Sequence, residues 1–442
     1  MEIAGEGALP SVFAVTDLAT ASVAAAGREV AGLAALATSR SDRSTSAVRV
    51  DARLASYWFL ASNRPVGWEL PPVWDSVAGD YATNDGWIKL HTNAPHHRAA
   101  ALGVLGVLGV DADRSAVTTA VRSWSGAELE AAVVAAGGCA AEMRSVQAWR
   151  GHPQGRAVAA EPLLSRVDGE PAPTRTWEPT ASRPLTGVRV LDLTRVLAGP
   201  VATRFLAGYG ADVLRLDPFG WDEPSIAPDV TLGKRCARLD LRDPEGRQRF
   251  EQLLAGADVL VHGYRSDALD RLGLGAERRR EVRPDLVDVA LCAYGWTGPW
   301  RHRRGFDSLV QMSSGIAHEG MLRTGADRPT PLPAQALDHA TGYLLAAAAL
   351  RGLNDRLRRG TGSRWSLSLA RTAELLLAGP RTSPSATEPL AVLGDDDFNP
   401  NVESTAWGRQ LRLRPPLDVE GAPQHWELPA GLLGTDEATW LP

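Results

Sequence analysis

This sequence of 442 residues has only three cysteines, no net positive charge and few long apolar runs. Cys139, Cys236 and Cys292 lie far apart and form no C-x-x-C pair, a pattern typical of reduced thiols rather than of a disulfide framework or a zinc site. The formal net charge is −5, so no overall basic excess indicates a nucleic acid or an anionic membrane as partner.

The first residues of the sequence predict neither a secretory signal nor a membrane-spanning helix. Glu2 and Glu6 stand where a secretory signal would carry a basic region. The most apolar early stretch, residues 18–36, is rich in alanine and carries Arg28 and Glu29, so it predicts a buried or half-buried helix. We therefore expect a cytoplasmic protein that binds no membrane.

The sequence has neither a Walker motif nor a G-x-G-x-x-G fingerprint, so neither a nucleoside triphosphate nor NAD is indicated as ligand. Its length exceeds what one compact core accommodates, which predicts two or three domains. Apolar residues make up 44% and charged residues 22% of the chain, as in an ordinary globular protein.

Alternating strand and helix patterns occupy residues 188–292. Short apolar runs predict strands at residues 188–193, 211–216, 258–261 and 286–291. Helices are predicted between them at residues 201–209, 245–254 and 267–272. Strands separated by helices of this length imply a mostly parallel, helix-covered sheet.

The chain before this block has a different pattern. A hairpin is predicted within residues 80–90, with Asn84, Asp85 and Gly86 as its turn. Helices are predicted at residues 97–108 and 127–136.

An internal repeat connects two alanine-rich helices. Asp17 precedes the first, and a short strand at residues 48–51 follows it. Asp338 precedes the second, and a strand at residues 365–368 follows it. Chance similarity between alanine-rich helices is the alternative, but the shared order favours a duplication.

The first strand of the alternating block ends in a turn at residues 194–200. Pro200 suits the first position of a helix because the N–H group there has no helical partner. The remaining free N–H groups and the positive end of the helix predict an anion site. An ordinary strand-to-helix turn is the alternative.

Short motifs follow this turn in a fixed order. They are Gly210 to Asp217, Gly233 to Arg235, Leu239 to Arg242, Ala257 to Val261, Gly263 to Arg265, Leu269 to Leu274, Tyr294 to Pro299 and Arg304 to Asp307. From residue 185 to residue 369, this succession resembles the family III CoA-transferases, which include formyl-CoA and carnitine-CoA transferases and the related α-methylacyl-CoA racemases.

The resemblance implies an α/β fold in which a Rossmann-like parallel sheet domain binds CoA and a second, smaller α+β domain accompanies it. It implies CoA or acyl-CoA as substrate, a carboxylic acid as the other partner, no tightly bound cofactor, no metal and a homodimer. It assigns CoA contacts to Leu197, Ala198, Leu239, Asp240, Leu241, Arg242, Gly263, Tyr264, Arg265, Arg271, Arg304, Gly305, Phe306 and Asp307. Guanidinium groups and free N–H groups suit the phosphates of CoA, although each arginine alone is equally typical of a solvated surface.

Two positions depart from the family pattern. Pro218 stands where relatives often carry an arginine that contacts CoA, and His262 with Gly263 replaces an acidic residue followed by asparagine.

Asp338 matches the nucleophilic aspartate of the family, in the pattern D-x-x-T-G before an alanine-rich helix. In that family the carboxylate attacks the donor thioester, and an aspartyl-CoA thioester follows through a mixed anhydride. We expect the helix N-terminus to favour the ionised carboxylate that such an attack requires. The alternative is a plain helix N-cap, which aspartate fills well.

The resemblance also implies a rearranged order of half-copies. Residues 80–88 resemble the opening of the family's small domain, which normally follows the strand after the catalytic helix. We therefore predict that the N-terminal part packs over the CoA site, with Asp17 as a relic of Asp338. The predicted division is a repeat-derived segment at 1–70, the small domain at 71–167, a linker rich in Pro, Thr and Ser at 168–184, the large domain at 185–380 and an irregular tail at 381–442.

Two other functions remain open. An acyl-CoA racemase or epimerase shares the fold, but those relatives carry histidine where this chain has Phe306, and phenylalanine cannot move a proton. A non-catalytic CoA-binding subunit is the other alternative.

Overall fold

The computed structural model describes residues 1–37, 47–107, 109, 113–172, 177–382 and 388–441. The strands are β1 Glu2–Ala4, β2 Val48–Asp51, β3 Asn63–Val66, β4 Gly79–Ala82, β5 Trp87–Leu90, β6 Ala140–Glu142, β7 Ser165–Pro171, β8 Arg189–Leu193, β9 Asp212–Asp217, β10 Lys234–Arg238, β11 Val259–His262, β12 Val287–Cys292, β13 Thr361–Ser368, β14 Glu403–Thr405, β15 Gly408–Arg412 and β16 Leu417–Val419. The helices are α1 Val15–Ala37, α2 Ala52–Trp58, α3 Pro95–Leu105, α4 Arg114–Val121, α5 Gly126–Ala135, α6 Val146–Gly151, α7 Pro153–Ala160, α8 Ala198–Ala207, α9 Ala227–Val230, α10 Pro244–Ala255, α11 Ala268–Arg271, α12 Ala276–Val282, α13 Asp307–Ser314, α14 Ile316–Thr324, α15 Ala336–Arg359 and α16 Leu369–Ala378.

The central sheet has the order β10-β9-β8-β11-β12-β13-β7, and its strands are parallel except for β7, which runs antiparallel to β13. Neighbouring residues of β8 face opposite sides: Val190 belongs to one hydrophobic cluster and Leu191 to another. Apolar clusters therefore cover both faces of the sheet at β8, as expected for a parallel sheet that is buried on both sides. The predicted α/β class, with a mostly parallel, helix-covered sheet, is confirmed.

The direction in which strands are added reverses between β8 and β11. The chain leaves β8 for β9 on one side, and after β10 it crosses to β11 on the other side. In open parallel sheets, ligands bind outside the carboxyl ends of the strands at such a switch point.

The N-terminal helix α1 packs along α15, and both contribute to one hydrophobic core, with Val23 and Val30 from α1 and Leu345 from α15. The order helix, strand, helix occurs twice, as α1-β2-α2 and as α15-β13-α16. The repeat that the sequence indicated therefore extends by one helix, although β2 pairs with β1 and β16 outside the central sheet.

A smaller unit is formed by the antiparallel sheet β4-β5-β6 with α3, α4 and α5, around its own apolar cluster. The predicted hairpin is confirmed, since Tyr81 lies opposite Ile88 in the register of β4 and β5. The helices predicted at 97–108 and 127–136 correspond to α3 and α5, and residue 108 lies outside the described residues.

Two predicted segments differ from the structure. Residues 168–171 of the expected linker belong to β7, which pairs with β13, and residues 173–176 lie outside the described part of the chain. The tail from residue 381 is not wholly irregular, because β15 pairs with β3 and β16 pairs with β2. In both cases a strand elsewhere in the chain offers an edge to pair with.

Among the described residues, none of the helices combines the length and apolar character needed to cross a membrane. The thiols of Cys139, Cys236 and Cys292 are buried and free.

Candidate functional site

A cavity of about 300 Å³ opens at the carboxyl edge of the central sheet, at the switch point between β8 and β11. Residues that follow or end four of the strands line it: Val196 after β8, Tyr264 after β11, Cys292 at the end of β12 and Leu369 after β13. Asp338 lines the same cavity. The parallel topology therefore brings segments that are far apart in sequence to one site.

The turn between β8 and α8 is held in an unusual conformation. Val196 is the non-glycine residue with a positive φ in the described chain, at 64°, where a β-branched side chain is strained. Its N–H donates to Glu223 Oε1 at 2.6 Å, and Arg215 holds the other Glu223 oxygen at 2.7 Å. Such strain persists only where the surroundings fix it, and it clusters at functional sites.

Helix α8 begins beside this turn. Its first helical hydrogen bond runs from Val201 N–H to Leu197 O at 2.8 Å, and the N-cap Leu197 offers no side-chain cap. The predicted position of Pro200 needs correction, because it is the third residue of the helix rather than the first. The N–H groups of Ala198 and Gly199 precede the first helical bond, and Ala198 lines the cavity, as an anion site at a helix N-terminus requires.

Asp338 is the third residue of α15 and is 8% exposed. The alternative that it is a plain N-cap is wrong, because Gln335 occupies the N-cap. One turn later, a Cβ on Gly342 would lie 2.5 Å from Ala198 O. The missing side chain of Gly342 lets α15 approach the start of α8 and brings Asp338 to the strained turn.

Asp307 caps α15 from the neighbouring helix α13. Its Oδ2 accepts from Leu337 N–H at 2.8 Å and from Asp338 N–H at 3.0 Å, while its Oδ1 accepts from Gln311 Nε2 at 2.5 Å. Asp307 is 1% exposed and lies beneath the helix end rather than in the cavity wall. Asp307 was predicted to contact CoA, but in the structure it caps α15 and does not line the cavity.

The two carboxyl groups affect each other. Burial, and then the charge of Asp307, raise the pKa of Asp338 well above its usual value. Burial raises the pKa of Asp307 to about 6, although three N–H donors oppose this. The N–H groups of that first turn were expected to stabilise the Asp338 carboxylate, but those of Leu337 and Asp338 donate to Asp307 instead.

Basic and aromatic side chains form much of the remaining wall. The Arg195 guanidinium lies between two rings, 4.7 Å from the centroid of Trp221 and 5.1 Å from that of Tyr264. Arg265 and Arg304 also line the cavity, and the charge of Arg304 adds to burial in lowering the pKa of Arg265. Clustered guanidinium groups suit a polyanionic ligand.

The predicted CoA contacts divide into two groups. The structure brings part of them together around the cavity, namely Ala198, Gly263, Tyr264, Arg265, Arg304, Gly305 and Phe306. The others lie outside the cavity lining: Leu197, Leu239, Asp240, Leu241, Arg242, Arg271 and Asp307.

Local partners account for several members of the second group. Arg242 pairs with Asp240 at 2.9 Å, and Arg271 pairs with Asp267 at 2.5 Å. Leu241 is buried in the cluster on the far face of the sheet. Their contacts to CoA remain predictions.

Sequence reasoning did not predict that His96, His97 and Trp221 line the cavity. The two histidines come from α3, so the N-terminal part reaches the cavity that Asp338 lines. The pattern around residues 80–88 indicated such packing, but nothing in it identified the side chains that enter the site. Asp17 lies exposed in the first turn of α1 and does not line the cavity.

Within the described ranges, no group of three or more His, Cys, Asp or Glu side chains is arranged to hold a metal ion.

Comparison with known proteins gives consistent matches over part of the chain. Residues 185–399 match the model of the family described as CoA-transferase family III. The chain is 32% identical over 258 residues to an acyl-CoA transferase of Fusarium pseudograminearum, covering 53% of each protein. It is 35% identical over 195 residues to succinyl-CoA:glutarate CoA-transferase of Mus musculus, covering 41% of this chain and 44% of the relative.

Among solved structures, Rv3272 from M. tuberculosis matches with 31% sequence identity and a TM-score of 0.41, covering 45% of this chain and 57% of that chain. The chain spans about half the length of the curated relatives it matches.

Proposed function

We propose that this chain, whose residues 185–399 match the model of CoA-transferase family III, moves coenzyme A from an acyl-CoA donor to a carboxylic acid, with Asp338 as the covalent nucleophile. The observation that carries this proposal is the position of Asp338 on the cavity wall, beside the α8 N-terminus and at the sheet's switch point. Relatives are named for the transfer of CoA between succinate and glutarate, so dicarboxylic acids belong in the first substrate panel.

The cavity wall supports the binding half of this proposal. Arg195, Arg265 and Arg304 supply positive charge, and Ala198 and Gly199 supply N–H groups at a helix N-terminus. We assign the phosphates of CoA to this cluster, in keeping with the preference of phosphate for guanidinium groups and helix N-termini.

In the reaction we propose, ionised Asp338 attacks the carbonyl carbon of the donor thioester. A C–O bond forms, the C–S bond breaks, and CoA leaves as a thiolate, so a mixed anhydride joins the protein to the acyl group. The thiolate then attacks the side-chain carbonyl carbon of Asp338 and releases the donor acid as a carboxylate. The acceptor acid reverses both steps, and acceptor acyl-CoA and free Asp338 result.

Several further assignments are part of the same proposal. The small domain at 71–167 and the large domain at 185–380 enclose the cavity together, and the chain acts as a cytoplasmic homodimer without a tightly bound cofactor.

A transfer assay with pairs of acyl-CoA and free acid, read by chromatography of the acyl-CoA products, tests the proposal. The wild-type protein should transfer CoA for at least one pair, and Asp338→Asn should lose about a thousandfold or more of the turnover, because an amide cannot act as the nucleophile. Asp17→Asn is the matched control and should keep its turnover, since Asp17 lies outside the cavity. Full turnover in Asp338→Asn would contradict the assignment, and CoA binding without any transfer would favour the non-catalytic subunit.

One observation favours a second candidate, an acyl-CoA epimerase. Phe306 carries no exchangeable proton, but the structure places the imidazoles of His96 and His97 in the same cavity. The related racemases carry an acid–base histidine at the position of Phe306, and an imidazole from α3 could act in its place. Exchange of deuterium from solvent into the α-carbon of an acyl-CoA, without any acceptor acid, would identify this reaction.

A further inference from the structure

His97 is a buried side chain that has a place in the cavity but no partner in the protein. It is 4% exposed, and neither of its ring nitrogens has a hydrogen-bond partner among the described residues. It lines the same cavity as Asp338. A buried polar group without a partner destabilises a fold, so its presence is explained when a ligand supplies that partner.

Aromatic packing fixes the orientation of this imidazole. Its ring lies edge-on to Phe306 with centroids 5.9 Å apart, and the ring of His96 lies 4.1 Å away. Phe306 is in turn stacked on His91 with centroids 3.7 Å apart. The small unit and the segment before α13 thus hold His97 in a defined geometry at the cavity wall.

The charge around His97 is positive. Burial, and then the charges of His96 and Arg304, lower the pKa of His97 to about 4. At neutral pH the imidazole is therefore uncharged and offers one N–H donor and one acceptor nitrogen. Arg304, which lines the cavity, attracts anions toward that donor.

We propose that His97 recognises the carboxylate of the acid substrate by donating a ring N–H to one of its oxygens inside the cavity that Asp338 lines. This inference rests on the proposed function, because it names the group that selects and orients the acid for exchange with Asp338. The same N–H meets the carbonyl oxygen of the acyl-CoA that the acid becomes. His97 is then a substrate-binding residue rather than a proton carrier.

Three variants test the inference. His97→Leu removes both ring nitrogens and keeps an apolar side chain in the packing, and His97→Asn retains an N–H donor. His425→Gln is the matched control, because His425 is exposed, pairs with Arg183 and lies outside the cavity. Each protein is assayed for kcat, for the KM of the acid, and for its affinity for CoA alone by calorimetry.

For a wild-type protein that transfers CoA, His97→Leu should raise the KM of the acid about tenfold or more and leave the affinity for CoA within about twofold. His97→Asn should recover most of the loss, and His425→Gln should behave as wild type. An unchanged KM in His97→Leu overturns the inference, and so does an equal loss of CoA affinity, which would indicate a structural role. Loss of solvent deuterium exchange rather than of acid recognition would overturn it in favour of proton transfer.

A failure of the proposed function can be distinguished from a failure of the inference about His97. If the wild-type protein transfers CoA to none of the acids, calorimetry of acetate, succinate, glutarate and octanoate against the CoA-saturated protein decides the inference. Weaker binding of an acid to His97→Leu than to wild type would support it. Equal binding, or binding of none of the four acids to either protein, would overturn it.

Discussion

Asp338 sits where its charged form is disfavoured. It is 8% exposed, and the carboxyl group of Asp307 accepts from the N–H of Asp338 itself. Burial and the charge of Asp307 raise the pKa of Asp338, and this opposes formation of the carboxylate that an attack on a thioester requires. A desolvated carboxylate is a stronger nucleophile once formed, and the cost of forming it appears in the stability of the fold.

Stability measured against pH should reveal that cost. A raised pKa means that folded Asp338 keeps a proton that the unfolded chain releases above about pH 4. The protonated carboxyl group of Asp338 therefore stabilises the fold fully below its pKa in the unfolded chain. This contribution is lost as pH rises through the pKa of Asp338 in the folded protein. In urea denaturation, wild type should therefore lose free energy of unfolding relative to Asp338→Asn as pH rises from about 4 to about 8.

The exposed control Asp17→Asn should follow the wild-type curve across the same range of pH. Parallel curves for wild type and Asp338→Asn would contradict the raised pKa.

The sequence singled out Asp338 as a candidate site residue but did not indicate that its pKa is raised. The motif and the following alanine-rich helix identify the residue, because both are local patterns. The raised pKa depends on burial and on Asp307, which lies 31 residues earlier and accepts from the N–H groups that were expected to stabilise the carboxylate. His97 shows the same limit, since its contact with Phe306 joins residues more than 200 positions apart.

Helix α15 depends at its start on a cap supplied by α13. Asp307 accepts from Leu337 and Asp338, and Gln311 both donates to Asp307 and accepts from Leu332 N–H. This network positions the first turn of α15, and with it the carboxyl group that faces the cavity.

Asp307→Asn should weaken this cap and change the pH profile of transfer. An amide has one acceptor oxygen where the carboxylate has two, so at least one N–H donor loses its partner, at a cost of about 1–3 kcal/mol in the free energy of unfolding. Removal of the neighbouring charge should also lower the pKa of Asp338, so transfer should reach its plateau at lower pH. Urea denaturation and pH–rate profiles measure both effects.

Asp327→Asn, in an exposed loop, is the control and should leave both quantities unchanged. A stability loss without a shifted pH profile would limit Asp307 to a structural role.

Elements with their own apolar pattern were predictable from sequence. Strands β8, β9, β11 and β12 lie within about two residues of their predicted positions, because each is buried on both faces and is therefore rich in apolar residues. Strand β7 and the tail strands have no such pattern. These strands form because they pair with the edges of β13, β3 or β2. Such long-range pairing cannot be predicted from the residues of the strand itself.

The N-terminal and central parts of the molecule share one core. Helix α1 packs along α15, and the same hydrophobic cluster includes Phe59 and residues of the central sheet such as Val261. The tail adds to this junction, since Arg53 forms an ion pair with Asp397 at 2.7 Å and Trp58 donates to Arg414 O at 2.8 Å.

Hydrogen exchange should show this shared core directly. The central amides of α1 should be protected to about the same degree as those of α15, because opening either helix exposes the same apolar surface. Exchange of α1 that is faster than that of α15 by orders of magnitude would mean that the N-terminal part opens by itself.

Ligand binding should stabilise the whole molecule selectively. CoA at about 100 times its dissociation constant should add about 2.7 kcal/mol to the free energy of unfolding, while NAD, FAD and ATP at equal concentration should add little, since the chain lacks their motifs. Thermal melting with each ligand is the measurement. A melting curve that millimolar CoA leaves unmoved would contradict the assignment of the cavity.

The most direct test of the account is the location of the covalent intermediate. Wild-type protein incubated with an acyl-CoA, without acceptor acid, should form a thioester on Asp338, which hydroxylamine converts to a hydroxamate at that side chain. Peptide mass spectrometry should place the modification on the peptide that contains Asp338, and Asp338→Asn should show none. A modification on Asp17 or on another residue, or none under conditions where CoA is transferred, would contradict the central claim that Asp338 is the nucleophile.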